Sequence, residues 1–315
     1  MISVVVPCHN EAAVLPQLFQ RLLAVATTWG EEYEVLLVDD GSRDDTWDVI
    51  RACHQRDTRW KGIRLARNFG QQAALGAGLH HSRGNAVVIL DADLQDPPEV
   101  INEFLTHWRK GAHVVYGVRT QRPESWWKRA AYHLYYRVLS RYSEVNVPAD
   151  AGDFCLLDRR VVRVLRTFRE SRPFWRGLRA WCGFVQVAVP YARHSRQAGR
   201  SQYTWGSLWR LANDGLWAMT SLPQRILSLL LVLLLGLVLA CGLFARGDGA
   251  SPLLWVAMAL VGGMQVLSTL LLNQYQRRLL TELRRRPRYV VSACLGLHRR
   301  ARSLPGLTVV RSIPA

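Results

Sequence analysis

The chain predicts an α/β fold built on a mostly parallel, doubly wound sheet, and three features of its 315 residues carry that prediction. Short apolar segments alternate with longer segments of helical pattern, the arrangement that gives parallel strands joined by helices. One of the apolar segments, 87–90, runs unbroken with no helical period, as strands buried on both faces do. Polar or charged residues close each apolar segment in turn, and in open α/β sheets the carboxyl ends of the strands meet at one ligand crevice.

Residues 2–7 (ISVVVP) predict the first strand, after which His9, Asn10 and Glu11 turn the chain into a helix over 12–27. Residues 34–38 (EVLLV) predict the second, ending in Asp39-Asp40-Gly41-Ser42; Asp44, Asp45 and Thr46 then offer capping oxygens to a helix reaching about Gln55. A third strand at 62–65 leads through Arg67-Asn68-Phe69-Gly70 into a helix of small residues over 71–81. The fourth, 86–90, stops at Asp91-Ala92-Asp93, and the fifth, 113–117, is followed by Arg119. Asp39-Asp40-Gly41-Ser42 also suits a plain helix-capping turn. Taken alone, Arg119 also suits an ordinary surface position.

The segment 87–99 (VVILDADLQDPPE) is the most informative. Two carboxylates one residue apart at a strand end suit a hard divalent cation, which takes oxygen ligands and is commonly held by one or two carboxylates plus substrate phosphates. The same residues also read as an acidic turn opening the next helix, because Asp-Pro-Pro-Glu is a helix start. No G-x-G-x-x-G and no G-x-x-x-x-G-K-[ST] occurs, so dinucleotide and P-loop sites lose their signatures. Carboxylates in place of glycine amides suit a nucleotide whose base and ribose donate hydrogen bonds and whose phosphates arrive with a metal.

The carboxyl-terminal third is different in kind. Residues 226–245 form an unbroken, uncharged apolar run, and 253–272 a second interrupted only by Gln265, Ser268 and Thr269. Twenty residues at about 1.5 Å each span roughly 30 Å, the hydrocarbon thickness of a bilayer. Soluble helices of that length carry a polar face, so two transmembrane helices are expected. Beyond them, 276–302 carries nine arginines against the single acid Glu282. The positive-inside rule places that tail in the cytosol, and two crossings place the amino-terminal region there too. No basic segment precedes the first strand, so no signal peptide is expected. The expected divisions are a soluble domain 1–205, an amphipathic interface helix 206–225, spans 226–245 and 253–272, and a basic tail 273–315.

The net charge of +17 lies in good part beside the spans, which favours anionic lipid over nucleic acid as its partner; no nucleic-acid reading module is present. Residues 123–143 place Trp127, Ala131, Leu134, Val138 and Tyr142 on one helical face beside Lys128, Arg129, Arg137 and Arg141. Such a helix suits the headgroup layer, or packs on the sheet with a solvated basic side. Trp205, Trp209 and Trp217 make 207–222 a second interface candidate. Gly262, Gly263 and Ser268 would let helices approach closely, and a homo-oligomer is expected, with a tetramer as one form. The six cysteines form no C-x-x-C pair and are expected to be reduced and structural. His9, His80 and His81 lack metal-ligand spacing.

V-V-P-C-H-N-E (5–11), L-V-D-D-G-S (37–42), R-N-F-G-Q-Q (67–72) and D-A-D-L-Q-D-P-P-E (91–99) resemble the family 2 glycosyltransferases of the GT-A fold. More narrowly they resemble the polyprenyl-phosphate glycosyltransferases related to dolichyl-phosphate mannose synthase. The likeness is greatest to bacterial polyprenyl-phosphate glucosyltransferases with two carboxyl-terminal transmembrane helices, of the kind used in O-antigen modification. D-A-G-D-F-C-L-L-D (150–158), F-W-R-G (174–177), R-Q-A-G-R-S-Q-Y (196–203) and R-R-R-P-R-Y (284–289) follow in that subgroup's order.

The resemblance implies that Pro7, Asn10, Glu11, Asp39 and Asp40 hold the nucleoside, with Asn68 and Gly70 in the same nucleotide-sugar site. Asp91 and Asp93, with Gln95 assisting, would hold Mg²⁺ or Mn²⁺ on the donor's diphosphate. Arg119, Arg196 and Arg200 would meet phosphate oxygens of donor or acceptor. Asp153 stands where a catalytic carboxylate is suspected in the subgroup, beside Asp93 as the second catalytic acid, although buried acids also simply pair with an arginine. The implied reaction is inverting transfer of a hexose, glucose from UDP-glucose foremost, to polyprenyl (undecaprenyl) phosphate at the cytosolic face of a bacterial inner membrane. GDP-mannose, UDP-galactose or a modified arabinose are alternative donors, and a non-catalytic lipid-phosphate scaffold is the alternative class. Three residues depart from the subgroup's pattern: Cys155 for an Arg, Gln202 for a Lys, and Asn273-Gln274-Tyr275 for Gly-Glu-Tyr. The first two remove candidate phosphate ligands.

Overall fold

A computed structural model describes residues 1–120, 137, 141–143, 151–171, 173–193, 220–244 and 252–297. Its strands are β1 (Ile2–Cys8), β2 (Tyr33–Asp39), β3 (Trp60–Leu65), β4 (Ala86–Ile89), β5 (Val114–Arg119), β6 (Ala151–Asp158), β7 (Gln186–Tyr191) and β8 (Val291–Leu295). Its helices are α1 (Leu15–Ala26), α2 (Thr46–Arg56), α3 (Gln71–His81), α4 (Ile101–Arg109), α5 (Arg159–Thr167), α6 (Trp175–Trp181), α7 (Leu222–Phe244) and α8 (Pro252–Leu283). The strands make one sheet in the order β7-β5-β6-β4-β1-β2-β3-β8.

The apolar runs are central parallel strands: β1 pairs β2 on one side and β4 on the other, and β2 pairs β3, all parallel. Successive side chains point to opposite faces of a strand, so each run feeds two cores. Val4, Val6, Val35 and Leu37 join one core with Leu15, Leu18, Leu22, Ile50 and Phe104, from α1, α2 and α4. Val5, Leu36 and Val38 join the other with Ala74, Leu75, Val161, Leu165 and Leu178, from α3, α5 and α6. Helices on both faces are what a doubly wound sheet requires.

Three strands were not expected. β6, formed by the D-A-G-D-F-C-L-L-D segment, lies antiparallel between β4 and β5, and β7 runs parallel to β5 at the sheet edge. β8 lies antiparallel on β3 at the opposite edge. It comes from within the expected basic tail 273–315, so part of that tail is an edge strand of the sheet. Aspartate, cysteine and glycine weaken the β-pattern of β6, and a proline that of β7, and partner strands override propensity.

The long apolar segments are α7 and α8, which pack on each other. Both are long and apolar enough to cross a membrane: Leu222–Ala240 has mean hydropathy 2.2 and is 0% buried, and Trp255–Leu283 has mean hydropathy 1.8 and is 6% buried. Leu229, Val232, Leu235, Val256, Val266 and Leu270 are exposed, where a soluble core helix would hide them. α8 continues well past the expected end of its span. Its last turn meets the sheet domain, where the Ser171 amide and hydroxyl donate to Glu282. Arg288 then donates to the Phe168 carbonyl, and the Ala66 amide to the Val290 carbonyl at 2.8 Å. The amphipathic segments 123–143 and 206–225 lie, but for a few residues, outside the described residues, as does the connector between the spans.

Candidate active site

The predicted site residues that are described collect at the carboxyl ends of β1 to β5 and the amino end of β6. The β1 turn and the β2 turn are laced together. The Asn10 amide donates to Ser42 Oγ at 2.9 Å, the Arg43 amide to Asn10 Oδ1 at 2.9 Å, and the Glu11 amide to Thr46 Oγ1 at 2.9 Å. Asn10 sits at φ 57°, a left-handed conformation that Asn tolerates better than most residues. Asp39 holds the β2 turn by accepting the Ser42 amide at 2.8 Å. His9 bridges to the next turn, with Nδ1 3.0 Å from the Asp40 carbonyl and Nε2 3.0 Å from Asn68 Nδ2. As the amide must donate and the carbonyl accept, this network places the imidazole proton on Nδ1.

Asp40 turns inward. Its two oxygens accept the amides of Phe69 and Gly70 at 2.7 and 2.8 Å. Burial pushes its carboxyl above the usual range, and those two amides oppose the rise. Gly41 lies so close that a Cβ there would stand 2.4 Å from the Arg67 carbonyl carbon. Gly70, at φ 97°, then opens α3, and Gln71 Nε2 donates to Asp91 Oδ1 at 2.9 Å.

Past β4, Asp91 and Asp93 reach the crevice on a tight turn. Asp93 Oδ1 accepts the Gln95 amide at 3.1 Å, and Leu94 adopts φ 57°. Two further acids stand near. Asp96, 1% exposed, accepts the Tyr191 hydroxyl at 2.5 Å and lies 3.9 Å from Arg119 and 3.5 Å from Arg193. Asp153 on β6 accepts both arms of Arg176, at 2.7 and 3.0 Å. Burial would raise Asp153, but Arg176, with Arg179 and Arg119, overcomes it and holds the carboxyl below its ordinary value. For Asp91, Arg119 acts in the same sense but is outweighed. Burial, then Asp96, Asp153 and Asp93, push its carboxyl up to about 8.

That crowding fits a divalent cation, whose charge would relieve it. Among the described residues no three His, Cys, Asp or Glu side chains could hold a metal by themselves. A cation on Asp91 and Asp93 would therefore also need substrate oxygens, the usual manner for Mg²⁺.

The sequence profile described as glycosyl transferase family 2 matches residues 3–166, the stretch that builds β1 to β6 and the strand-end acids of this crevice. The chain belongs to that family. It is 38% identical over 305 residues to the uncharacterized glycosyltransferase YkcC of Bacillus subtilis, covering 94% of each chain. It is 37% identical over 306 residues to the uncharacterized glycosyltransferase sll0501 of Synechocystis, covering 94% of this chain and 96% of that one. It is 30% identical over 299 residues to the SfII prophage-derived bactoprenol glucosyl transferase of Shigella flexneri, covering 92% of this chain and 97% of that one.

Several residues of this crevice carried no assigned role in the sequence. Gln71 lay in a recognised motif but looks like an ordinary helix-opening residue. Asp96 follows Asp93 within the acidic motif and is separated from it only by its partners Tyr191, Arg119 and Arg193. Arg176 and Arg179 sit on a short helix far along the chain, and only the fold brings them to Asp153. Cys155, in place of the subgroup's Arg, is buried in the core beside Arg179. With Leu75, Ile89 and Trp175 it lines a cavity of about 10 Å³, room for one water. Arg179 Nε and Nη2 have no hydrogen-bond partner in the structure, and a water there would satisfy one of them. Arg196 and Arg200 lie outside the described residues, as does Gln202.

Proposed function

We propose that this family 2 enzyme transfers a hexose from a nucleotide sugar to a polyprenyl phosphate, with UDP-glucose as donor and undecaprenyl phosphate as acceptor. The observation that carries the proposal is the pair Asp91 and Asp93 at the end of β4, held by Gln71 and the Gln95 amide with Asp96 and Asp153 close by, in a domain joined to two long apolar helices. The bactoprenol glucosyl transferase likeness supports the lipid acceptor, and the basic residues flanking the spans support a cytosolic face of a bacterial inner membrane.

In this reading the nucleoside lies over the β1 and β2 turns, against Pro7, Asn10, Glu11 and Asp39. Its diphosphate reaches Asp91 and Asp93, with Gln95 beside them. A bound Mg²⁺ or Mn²⁺ would supply Lewis-acid stabilisation of the departing diphosphate. The acceptor's phosphate oxygen forms a bond to the anomeric carbon as the bond from that carbon to the donor's phosphate oxygen breaks, so configuration inverts. A phosphate monoester has its second pKa near ~6 and is already largely ionised at neutral pH, so no base is needed. Asp153, neutralised by Arg176, orients that arginine at the crevice, where it can meet phosphate oxygens. Arg119, aligned by Asp96 and Tyr191, together with Arg196 and Arg200, completes the phosphate-binding set.

The test is purified protein in bilayers with polyprenyl phosphate and a panel of radiolabelled nucleotide sugars. One donor is expected to give a labelled, mild-acid-labile lipid. Absence of transfer from every donor, with metal present and the fold intact, would sink the proposal.

A further inference from the structure

The acids of the crevice are held in different ways. Asp153 is neutralised by the two arms of Arg176, and Asp96 by Tyr191 with Arg119 and Arg193 nearby. Asp93 holds its own turn through the Gln95 amide. The hydrogen bond to Asp91 comes from a neutral amide, Gln71 Nε2 at 2.9 Å. A neutral donor fixes a carboxylate's direction without cancelling its charge. The second oxygen takes no part in this hydrogen bond.

Gln71 is itself held from behind. It is the first residue of α3, and the chain before it is gripped on three sides. Asp40, 3% exposed, accepts the amides of Phe69 and Gly70. Gly41 abuts the Arg67 backbone, and the Ala66 amide donates to Val290, which follows the apolar helices. On the far side Trp175 Nε1 donates to the Gln72 carbonyl at 2.8 Å. Two buried oxygens on two consecutive amides make Asp40 a clamp on the turn, and the turn sets where the Gln71 side chain begins.

We infer that Gln71 is a positioning residue for the cation-binding carboxylate Asp91, and that Asp40 acts through it by fixing the 67–70 turn. The inference rests on the proposed function, since it presumes that a cation and a nucleotide meet at Asp91. Groups that orient a metal's ligands typically change affinity by roughly 10–100-fold when removed.

The test titrates Mn²⁺ into the full-length protein in detergent, with and without UDP, and in parallel with GDP. Gln71→Leu is expected to weaken nucleotide-dependent Mn²⁺ binding by roughly 10–100-fold, to leave metal-free nucleotide affinity unchanged, and to regain turnover at saturating Mn²⁺. Gln71→Asn, which keeps the amide one methylene short, serves if the leucine variant fails to fold by circular dichroism. Asp40→Asn is expected to show the same metal defect, and the double variant to be no worse than either single one, as for two residues acting in series. Wild-type Mn²⁺ affinity in folded Gln71→Leu would overturn the inference. So would additive defects, or an Asp40→Asn defect in metal-free nucleotide affinity alone. Failure of the wild-type protein to bind Mn²⁺ with either nucleotide would instead remove the proposed function, and the inference with it.

Discussion

At the scale of single residues, the crevice is built from unfavourable groups held in place by favourable ones. The folded chain keeps a proton on Asp91 to about pH 8, whereas an unfolded chain loses it near ~4. Between those values the unfolded state binds fewer protons, so this group lowers stability as pH rises through the window. Asp91→Asn is therefore predicted to abolish sugar transfer while raising the melting temperature of the nucleotide-free protein above neutral pH. One kcal/mol corresponds to roughly 2–4 °C in a domain of this size, and a lowered melting temperature at pH 8 would contradict the crowding. Gly41 carries the opposite cost. At φ 64°, with the Arg67 backbone 2.4 Å from a would-be Cβ, Gly41→Ala should destabilise the protein by more than about 1 kcal/mol. It should also weaken nucleotide binding, measured by chemical denaturation and titration respectively.

At the scale of elements, the amino ends of the central strands are tied by a buried acid as firmly as their carboxyl ends hold the site. Glu34 on β2 accepts Ser3 Oγ at 2.6 Å, the Arg83 amide at 2.7 Å and Lys61 Nζ at 2.6 Å. Burial would raise its carboxyl, but Lys61, Ser3 and Arg83 hold it below the ordinary value. A depressed folded value stabilises above the ordinary carboxylate range and is lost as pH falls through it. Lys61→Met should accordingly cost about 1–3 kcal/mol at pH 7, and the penalty should shrink toward pH 4 as Glu34 takes a proton; a penalty independent of pH would rule this out. The strands legible in sequence were those with largely apolar runs closed by polar residues. β6 escaped because Asp153 and Cys155 interrupt its pattern, and Arg176, though within the F-W-R-G motif, carries no local sign that it pairs with Asp153. β8 escaped because five residues after an arginine-rich stretch carry too little periodicity to register.

At the scale of the whole molecule, β8 and the end of α8 tie the apolar pair back to the domain it departs from. Glu282 meets Ser171, Arg288 meets Phe168, and β8 extends β3. If α7 and α8 cross a bilayer, these contacts require both ends of the pair to lie on one side. Arginine bias independently predicts that side to be the cytosol. On intact cells, Ser251→Cys is predicted to react with a membrane-impermeant maleimide, and the exposed Cys294 to react only after permeabilisation. The reverse pattern would invert the topology, and labelling of both from outside would mean the helices do not span. The apolar runs, the strand-end carboxylates and their order were legible in the chain alone, because burial on both faces and ligand chemistry each leave local residue patterns. Which acid is neutralised, which stays crowded, and how the chain returns from the apolar helices to the sheet depend on groups tens to hundreds of residues apart. Such contacts follow from strand order and packing, for which the chain carries no short-range pattern.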